Sequence, residues 1–488
     1  MLAVAVLGAA AAMASQGGRG HSDPLVLTVN AGAPARVIPR GFIGLSTEYW
    51  AIPQFAGEDP AAIDPVFVQL LKNLAPGQPP VLRIGGDSTD WTWWPTPGMR
   101  KPLGIRYSLS PRWARIAAAM VKASNARLIL GINLEANSRR LASTEAHALV
   151  NGIGRGSILA LEIGNEPELY GSFGWYRTAS GHSVFGRPRG YDLPAFMRDF
   201  SSFAGSMPSV TLAGPSSGAA TWMPQLGRFL GGERRVGVAT IHDYPLKHCT
   251  SSSHVTIAQV LSNTSSEGLA SALAPEVSAA HRHHLPLRID EMNSVSCGGA
   301  RGVSDTYASA LWALDTLFAL ARAGVDGVNI HTPPRSINEM FAFSRVKGAW
   351  QASVHPIYYG MLMFAQATPP GSRLLQVSGG VAPGLSTWAT RGRDGKTRVV
   401  AINKSTGTSR FLAVRAPAHA TAATIELLRA PSIAASAGIT VGGQSFGAET
   451  RTGALAATPP ANTIDPAHGI YTFKLPAGSA ALLTFGDG

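Results

Sequence analysis

Between Phe42 and Ile330, short β-branched runs alternate eight times with longer helical patterns, and nothing else in the chain limits its fold so tightly. The runs are Phe42-Ile43-Gly44, Val81 to Ile84, Leu128 to Ile132, Leu159 to Ile163, Val210 to Ala213, Val236 to Ile241, Leu287 to Ile289 and Gly327 to Ile330. Strands that alternate with helices form a parallel sheet covered on both faces. Eight such units predict an α/β fold, the (β/α)8 TIM barrel, whose reactive groups stand at the C-terminal ends of the strands. Helix signals agree with this. Ser110 followed by Pro111 predicts a cap ahead of Trp113 to Val121. Ser304 is expected to cap a helix bearing Tyr307, Leu311, Leu314, Phe318 and Ala321, which Gly324 ends.

After about Phe364 the pattern changes to short alternating strands with Gly, Pro and Asp-Gly turns, as in Ser386 to Thr390, Asp394-Gly395 and Arg398 to Ile402. This predicts an all-β sandwich, with further strands at Thr424 to Leu428, Ile470 to Leu475 and Ala480 to Phe485. The early run Leu25 to Val29 is expected to add a strand to it. The expected division is therefore a signal peptide over residues 1–14, a joining strand over 15–34, a barrel over 35–364 and a sandwich over 365–488. The signal peptide rests on the apolar stretch from Met1 to Ala14, which closes on Ala12-Met13-Ala14. It implies a secreted or periplasmic protein. No later apolar stretch stays uncharged for the roughly 18 residues that a spanning helix requires, so no stable membrane insertion is expected.

An apolar fraction of 45% with only 14% charged residues excludes a disordered chain. The balance of 41 basic to 29 acidic residues, net +12, suits anionic partners such as an acidic polysaccharide, or reflects scattered Arg alone. Two cysteines, Cys249 and Cys297, are too few for a disulfide scaffold or a thiolate metal cage. They either pair or remain buried thiols, and their separation in the sequence does not decide. The tract His281-Arg282-His283-His284 precedes strand seven, on the side away from the strand ends, and reads as a solvated helix end rather than a metal site.

Two acids follow strands four and seven: Glu166 in Gly164-Asn165-Glu166-Pro167 and Glu291 in Asp290-Glu291-Met292. In an eight-stranded ring these positions face one another across the mouth. Two carboxyls about 5 to 5.5 Å apart perform retaining glycoside hydrolysis, one as proton donor and the other as nucleophile. Arg83, at the end of strand two, is expected to place a permanent positive charge beside Glu291 and keep it ionised. Asn165 and His242 offer dipoles near Glu166. Both steps use carboxylates and water, so no cofactor and no metal is expected.

Five segments carry a family resemblance: Leu82 to Asp90, Leu161 to Pro167, Ile241-His242-Asp243-Tyr244, Val303 to Tyr307, and Pro356-Ile357-Tyr358-Tyr359-Gly360. Together they resemble glycoside hydrolase family 79, which contains heparanases and β-glucuronidases, within the clan of retaining (β/α)8 glycosidases. The resemblance implies that Glu166 is the acid/base, Glu291 the nucleophile, and Asn165 a hydrogen-bond partner of the sugar 2-hydroxyl. It implies that Asp90 contacts other hydroxyls and that Tyr244 lies near the nucleophile. Tyr358 and the Gly298-Gly299 loop would hold a uronic carboxylate. Where many relatives carry a tyrosine five residues after the nucleophile, this chain has Ser296 followed by Cys297. Cys249 follows strand six and Cys297 strand seven, so a disulfide there would pin that loop. The expected function is an exo-acting β-glucuronidase on a uronic-acid-containing glycan or glycoside, with no nucleic-acid partner. The rivals are a retaining glycosidase for a neutral sugar and a non-catalytic binder of acidic glycans.

Overall fold

The computed structural model describes residues 23–486, apart from 31, 33–34, 251, 416–421 and 456–461. The expected signal peptide lies outside the described residues. Eight parallel strands close a barrel: Ile43–Glu48, Val81–Gly85, Arg127–Ile132, Ile158–Ile163, Leu212–Ser217, Val236–His242, Leu287–Met292 and Gly327–His331. Each pairs with its sequence neighbour, and the eighth returns to the first through Val328 to Ile43 and Ile330 to Leu45. Their side chains are buried on both faces, as β-branched runs between a packed interior and a ring of helices must be.

Strand five is the one whose position differs. The run Val210 to Ala213 predicts it, yet it spans Leu212–Ser217, through Gly214-Pro215. Val210 still belongs to the preceding turn, where its amide donates to the Pro208 carbonyl. Proline lacks an amide donor and so signals a break in the sequence, but here the ladder continues past it.

The outer helices start where caps allow. Ser110 accepts from the Trp113 amide at the head of Pro111–Ser124, and Asp64 accepts from Val66 at the head of Pro65–Leu74. Ser304 does not cap the seventh helix, contrary to expectation. Its Oγ is engaged with both the amide and the carbonyl of Ala300, so Tyr307–Ala323 begins at Thr306 without a side-chain cap, and Gly324 ends it in a left-handed turn. This helix is buried on every side from Tyr307 to Ala321, because the barrel covers one flank and the β domain the other.

In the β domain, Leu385–Arg391, Thr397–Asn403, Ser479–Phe485 and Ala423–Arg429 pair antiparallel in that order. Leu25–Asn30 lies between Arg373–Gly379 and Arg410–Arg415, so the start of the described chain is stitched into its end. The layers enclose Leu27, Val399, Leu412, Val414, Phe473 and Leu483. No described helix is long and apolar enough to cross a membrane.

Candidate active site

Every side chain of the candidate centre leaves the C-terminal end of a barrel strand. Strand four ends at Ile163, and the next three residues turn sharply. Gly164 has φ +85°, and a Cβ there would lie 2.6 Å from the Tyr170 hydroxyl, so only glycine fits. Glu166 itself is held at φ +45°, a left-handed conformation uncommon outside glycine. Its amide donates to the Ser216 carbonyl at the end of strand five, 2.9 Å away. The turn thus aims the Glu166 carboxylate across the mouth, where Oε1 meets His242 Nδ1 at 3.1 Å.

Glu291 approaches from strand seven. Its Oε2 accepts from Arg83 at 2.6 Å and its Oε1 from the Tyr244 hydroxyl at 2.9 Å. One carboxylate oxygen of Glu166, one of Glu291 and a ring nitrogen of His242 all lie within 4.8 Å of one another. Arg83 is fully buried and also donates to Glu162 and to Asn165 Oδ1 at 2.7 Å, so the chain itself supplies the positive charge among these acids. Burial works to raise the Glu291 carboxyl. The charges of His331, His242 and Arg83, with the Tyr244 hydrogen bond, outweigh it and hold the carboxyl well below the usual range. Burial likewise opposes the charge on His242, but Glu291 and Glu166 raise its pKa, and Glu291 with Glu48 does the same for His331.

Asn165 lines the cavity beside Glu166. Because Oδ1 is bound to Arg83, Nδ2 is the group left for a ligand. Asp90 is held by four internal hydrogen bonds. Its carboxylate accepts from the amides of Leu134, Glu135 and Asn165 and from the Tyr170 hydroxyl at 2.6 Å. With both oxygens doubly occupied it braces the turns after strands three and four, and it lines the cavity that holds Glu166.

Tyr358 corrects an expectation. Its hydroxyl donates to the Leu70 carbonyl at 2.9 Å and accepts from Asn73, between the helices Pro356–Ala367 and Pro65–Leu74. A residue in the first turn of an outer helix faces its neighbouring helix, and this phenol's bonds are met there, away from the mouth. Arg83 and Asp90 have separate partners.

The Gly298-Gly299 loop lies beyond strand seven. The Gly299 amide donates to the Ser296 carbonyl, and the Gly298 carbonyl accepts from the Asn338 amide. Cys249 and Cys297 form a disulfide, and the Ser296 amide donates to Leu246, which joins the loops after strands six and seven. His281 pairs with Asp326 at 2.8 Å on the outer surface.

Sequence reasoning missed four groups. His331 ends strand eight, with Nδ1 at 3.0 Å from the Ser46 hydroxyl and 3.8 Å from Glu291. Glu48 ends strand one and accepts from the Ser88 amide. Asp87 and Glu135 line the cavity with Glu166, Trp91 and Phe173. The strand-end rule already points to His331 and Glu48, which close their strands.

Residues 387–482 match the model of the glycosyl hydrolase family 79 C-terminal beta domain. Over its whole length the chain is similar in structure to a 4-O-alpha-L-rhamnosyl-beta-D-glucuronidase from Fusarium oxysporum 12S, with TM-score 0.71 and 20% identity over 94% of this chain and 100% of that one. It is also similar to the GH51 arabinofuranosidase from Xanthomonas axonopodis pv. citri, with TM-score 0.67 and 15% identity over 95% and 100%. An alpha-L-arabinofuranosidase from Thermotoga maritima gives TM-score 0.65 and 13% identity over 94% and 99%. At these identities the likeness is one of fold, a barrel joined to a β domain. No curated protein matches the chain.

Proposed function

We propose that this family 79-domain chain is a retaining glycoside hydrolase, and the observation that carries the reading is the approach of the Glu166 and Glu291 carboxylates to within 4.8 Å. That spacing suits direct attack and is shorter than the 6.5 to 9.5 Å or so that an inverting pair needs to admit water. Glu291, kept ionised by Arg83 and Tyr244, attacks the anomeric carbon as the bond to the glycosidic oxygen breaks. Glu166 gives that oxygen its proton. A glycosyl ester on Glu291 results, and Glu166 then takes a proton from water, whose oxygen displaces Glu291 and releases the sugar. Neither step calls for a metal, so turnover is expected to survive chelation.

We read the substrate as a terminal β-glucuronide, cleaved outside the cytoplasm. The family 79 β domain and the glucuronidase named among the similar structures support the sugar, and the loop carrying Gly298, anchored by the Cys249–Cys297 bridge, offers an amide to a carboxylate. The bridge also suits an oxidising compartment. A second reading, a neutral glycoside, is favoured by the placement of Tyr358 outside the cleft and by the acids Asp87 and Glu135 lining it.

A panel of glucuronide, xyloside, galactoside and glucoside sharing one chromogenic leaving group separates these. Glucuronide turnover is expected to exceed the others, and equal or lower turnover would move the assignment to the neutral sugar. If no glycoside is cleaved while Glu291→Gln and wild type bind acidic glycans alike, the chain is a binder and the hydrolase reading fails.

A further inference from the structure

Beneath the two candidate catalytic acids the barrel interior is polar, where such barrels are usually filled by branched apolar side chains. Arg83 from strand two, Glu162 from strand four and Asp290 from strand seven are fully buried there. Glu162 is satisfied: its Oε2 accepts from Arg83 Nε at 2.9 Å and its Oε1 from the Thr240 hydroxyl at 2.9 Å. Asp290 differs, because neither of its oxygens meets a donor among the described residues. Oδ2 lies 3.8 Å from Arg83 Nε and Oδ1 lies 3.7 Å from His242 Nε2, both beyond hydrogen-bond reach.

Those two neighbours are the groups that hold the reacting acids. Arg83 binds Glu291 and His242 binds Glu166, so Asp290 stands behind both. The charged groups facing it are Arg83, Glu162 and His242 from other strands, and Arg288 and Glu291 from its own. As an anion Asp290 would be a third buried carboxylate around Arg83, competing with Glu162 and Glu291 for one positive charge. As a neutral acid it has a hydroxyl to give, and Glu162, within 4.8 Å in the same cluster, has lone pairs to receive it. Burial, then the charge of Glu162 and a hydrogen bond to it, raises the Asp290 carboxyl well above the ordinary range. Burial works to raise Glu162 too, but Arg83 and the hydrogen bond with Asp290 outweigh it and keep that partner low.

We infer that Asp290 is a positioning residue that works as a neutral acid, its hydroxyl donated to Glu162, so that the charge of Arg83 is left to Glu291 and that of His242 to Glu166. The role rests on the two-carboxylate reading, since its effect on turnover passes through those acids.

Two variants and two measurements test it. Asp290→Asn keeps a neutral group with an N–H for Glu162, so kcat/KM should stay within about threefold of wild type, and its acid limb within about 0.3 pH units. Asp290→Ala loses the donor and should lower kcat by about tenfold with little change in KM. An Asn variant as impaired as the Ala variant, or an Ala variant as active as wild type, would overturn the role. Thermal unfolding judges the protonation without any substrate. A carboxyl held above its unfolded pKa of about 3.9 stabilises the fold at low pH, and that contribution fades as pH rises toward the folded value. Asp290→Asn should therefore gain in Tm on wild type as pH is raised from about 4 to about 8. A constant or shrinking difference would mean that Asp290 is ionised in the fold, and would overturn the inference. If wild type turns over no glycoside, the hydrolase reading fails and the role in turnover falls with it, whatever the unfolding shows.

Discussion

Arg83 organises the centre because it reaches across the barrel from strand two to acids on strands four and seven. It is wholly buried and binds Glu291, Glu162 and Asn165. Removing it leaves buried carboxylates unpaired, so Arg83→Gln is expected to cost about 3–5 kcal/mol of stability, read by thermal unfolding. The same change acts on pH dependence. Glu291 is depressed in the fold, so it stays ionised below its unfolded pKa of about 4.3. Its contribution to stability is full above that value and is lost only as pH falls through the folded pKa. The acid limb of kcat/KM set by Glu291 should therefore lie below about pH 4, and Arg83→Gln should move it upward by about one to three pH units. Glu166→Ala is expected to lower kcat/KM on a methyl glycoside by about a hundred- to ten-thousandfold. The loss should shrink for a nitrophenyl glycoside, whose leaving oxygen needs little protonation, and an equal loss on both would deny Glu166 the donor's role.

At the scale of elements, the loops after strands six and seven act together. The bridge between Cys249 and Cys297 spans 48 residues of chain, and the Leu246 carbonyl ties the same loops by a backbone bond. Cys297→Ser is expected to lower stability by roughly 2–4 kcal/mol. Because the bridge braces the glycine loop and touches neither acid, KM should rise more than kcat falls. A reversed split would mean that the loop serves the chemical step. Strands and most caps were legible because period and cap chemistry are local: Ser110 binds the amide three residues on, as its position requires. Ser304 was not, since a hydroxyl four residues away competed for by Ala300 leaves the same sequence signature as a cap.

Across the whole molecule, the barrel and the β domain share one buried seam. Lys404 of the β domain pairs with Asp315 of the helix Tyr307–Ala323 at 2.7 Å, and Asp315 also accepts from Trp388 and Ser386. Phe318 stacks on Trp388 at 5.6 Å, and the Tyr307 hydroxyl donates to the Leu428 carbonyl. Lys404→Met should cost about 3–5 kcal/mol by stranding the Asp315 charge, and adding Asp315→Leu should recover part of it. Calorimetry is expected to show one transition for the two domains, and two separated transitions would mean the seam couples them weakly.

The sequence by itself determined the barrel, the β domain and the two acids across its mouth, because strand periodicity and the direction of each strand end depend on neighbours in the chain. Only the tertiary structure decided which polar groups are free. Tyr358 looks like a ligand group in one dimension, yet the fold fills its hydrogen bonds internally, while Asp87, Glu135 and His331 are gathered into the cleft from the ends of strands two, three and eight. Whether a polar atom faces a partner or a cavity is set by contacts between distant segments, and no local pattern encodes it.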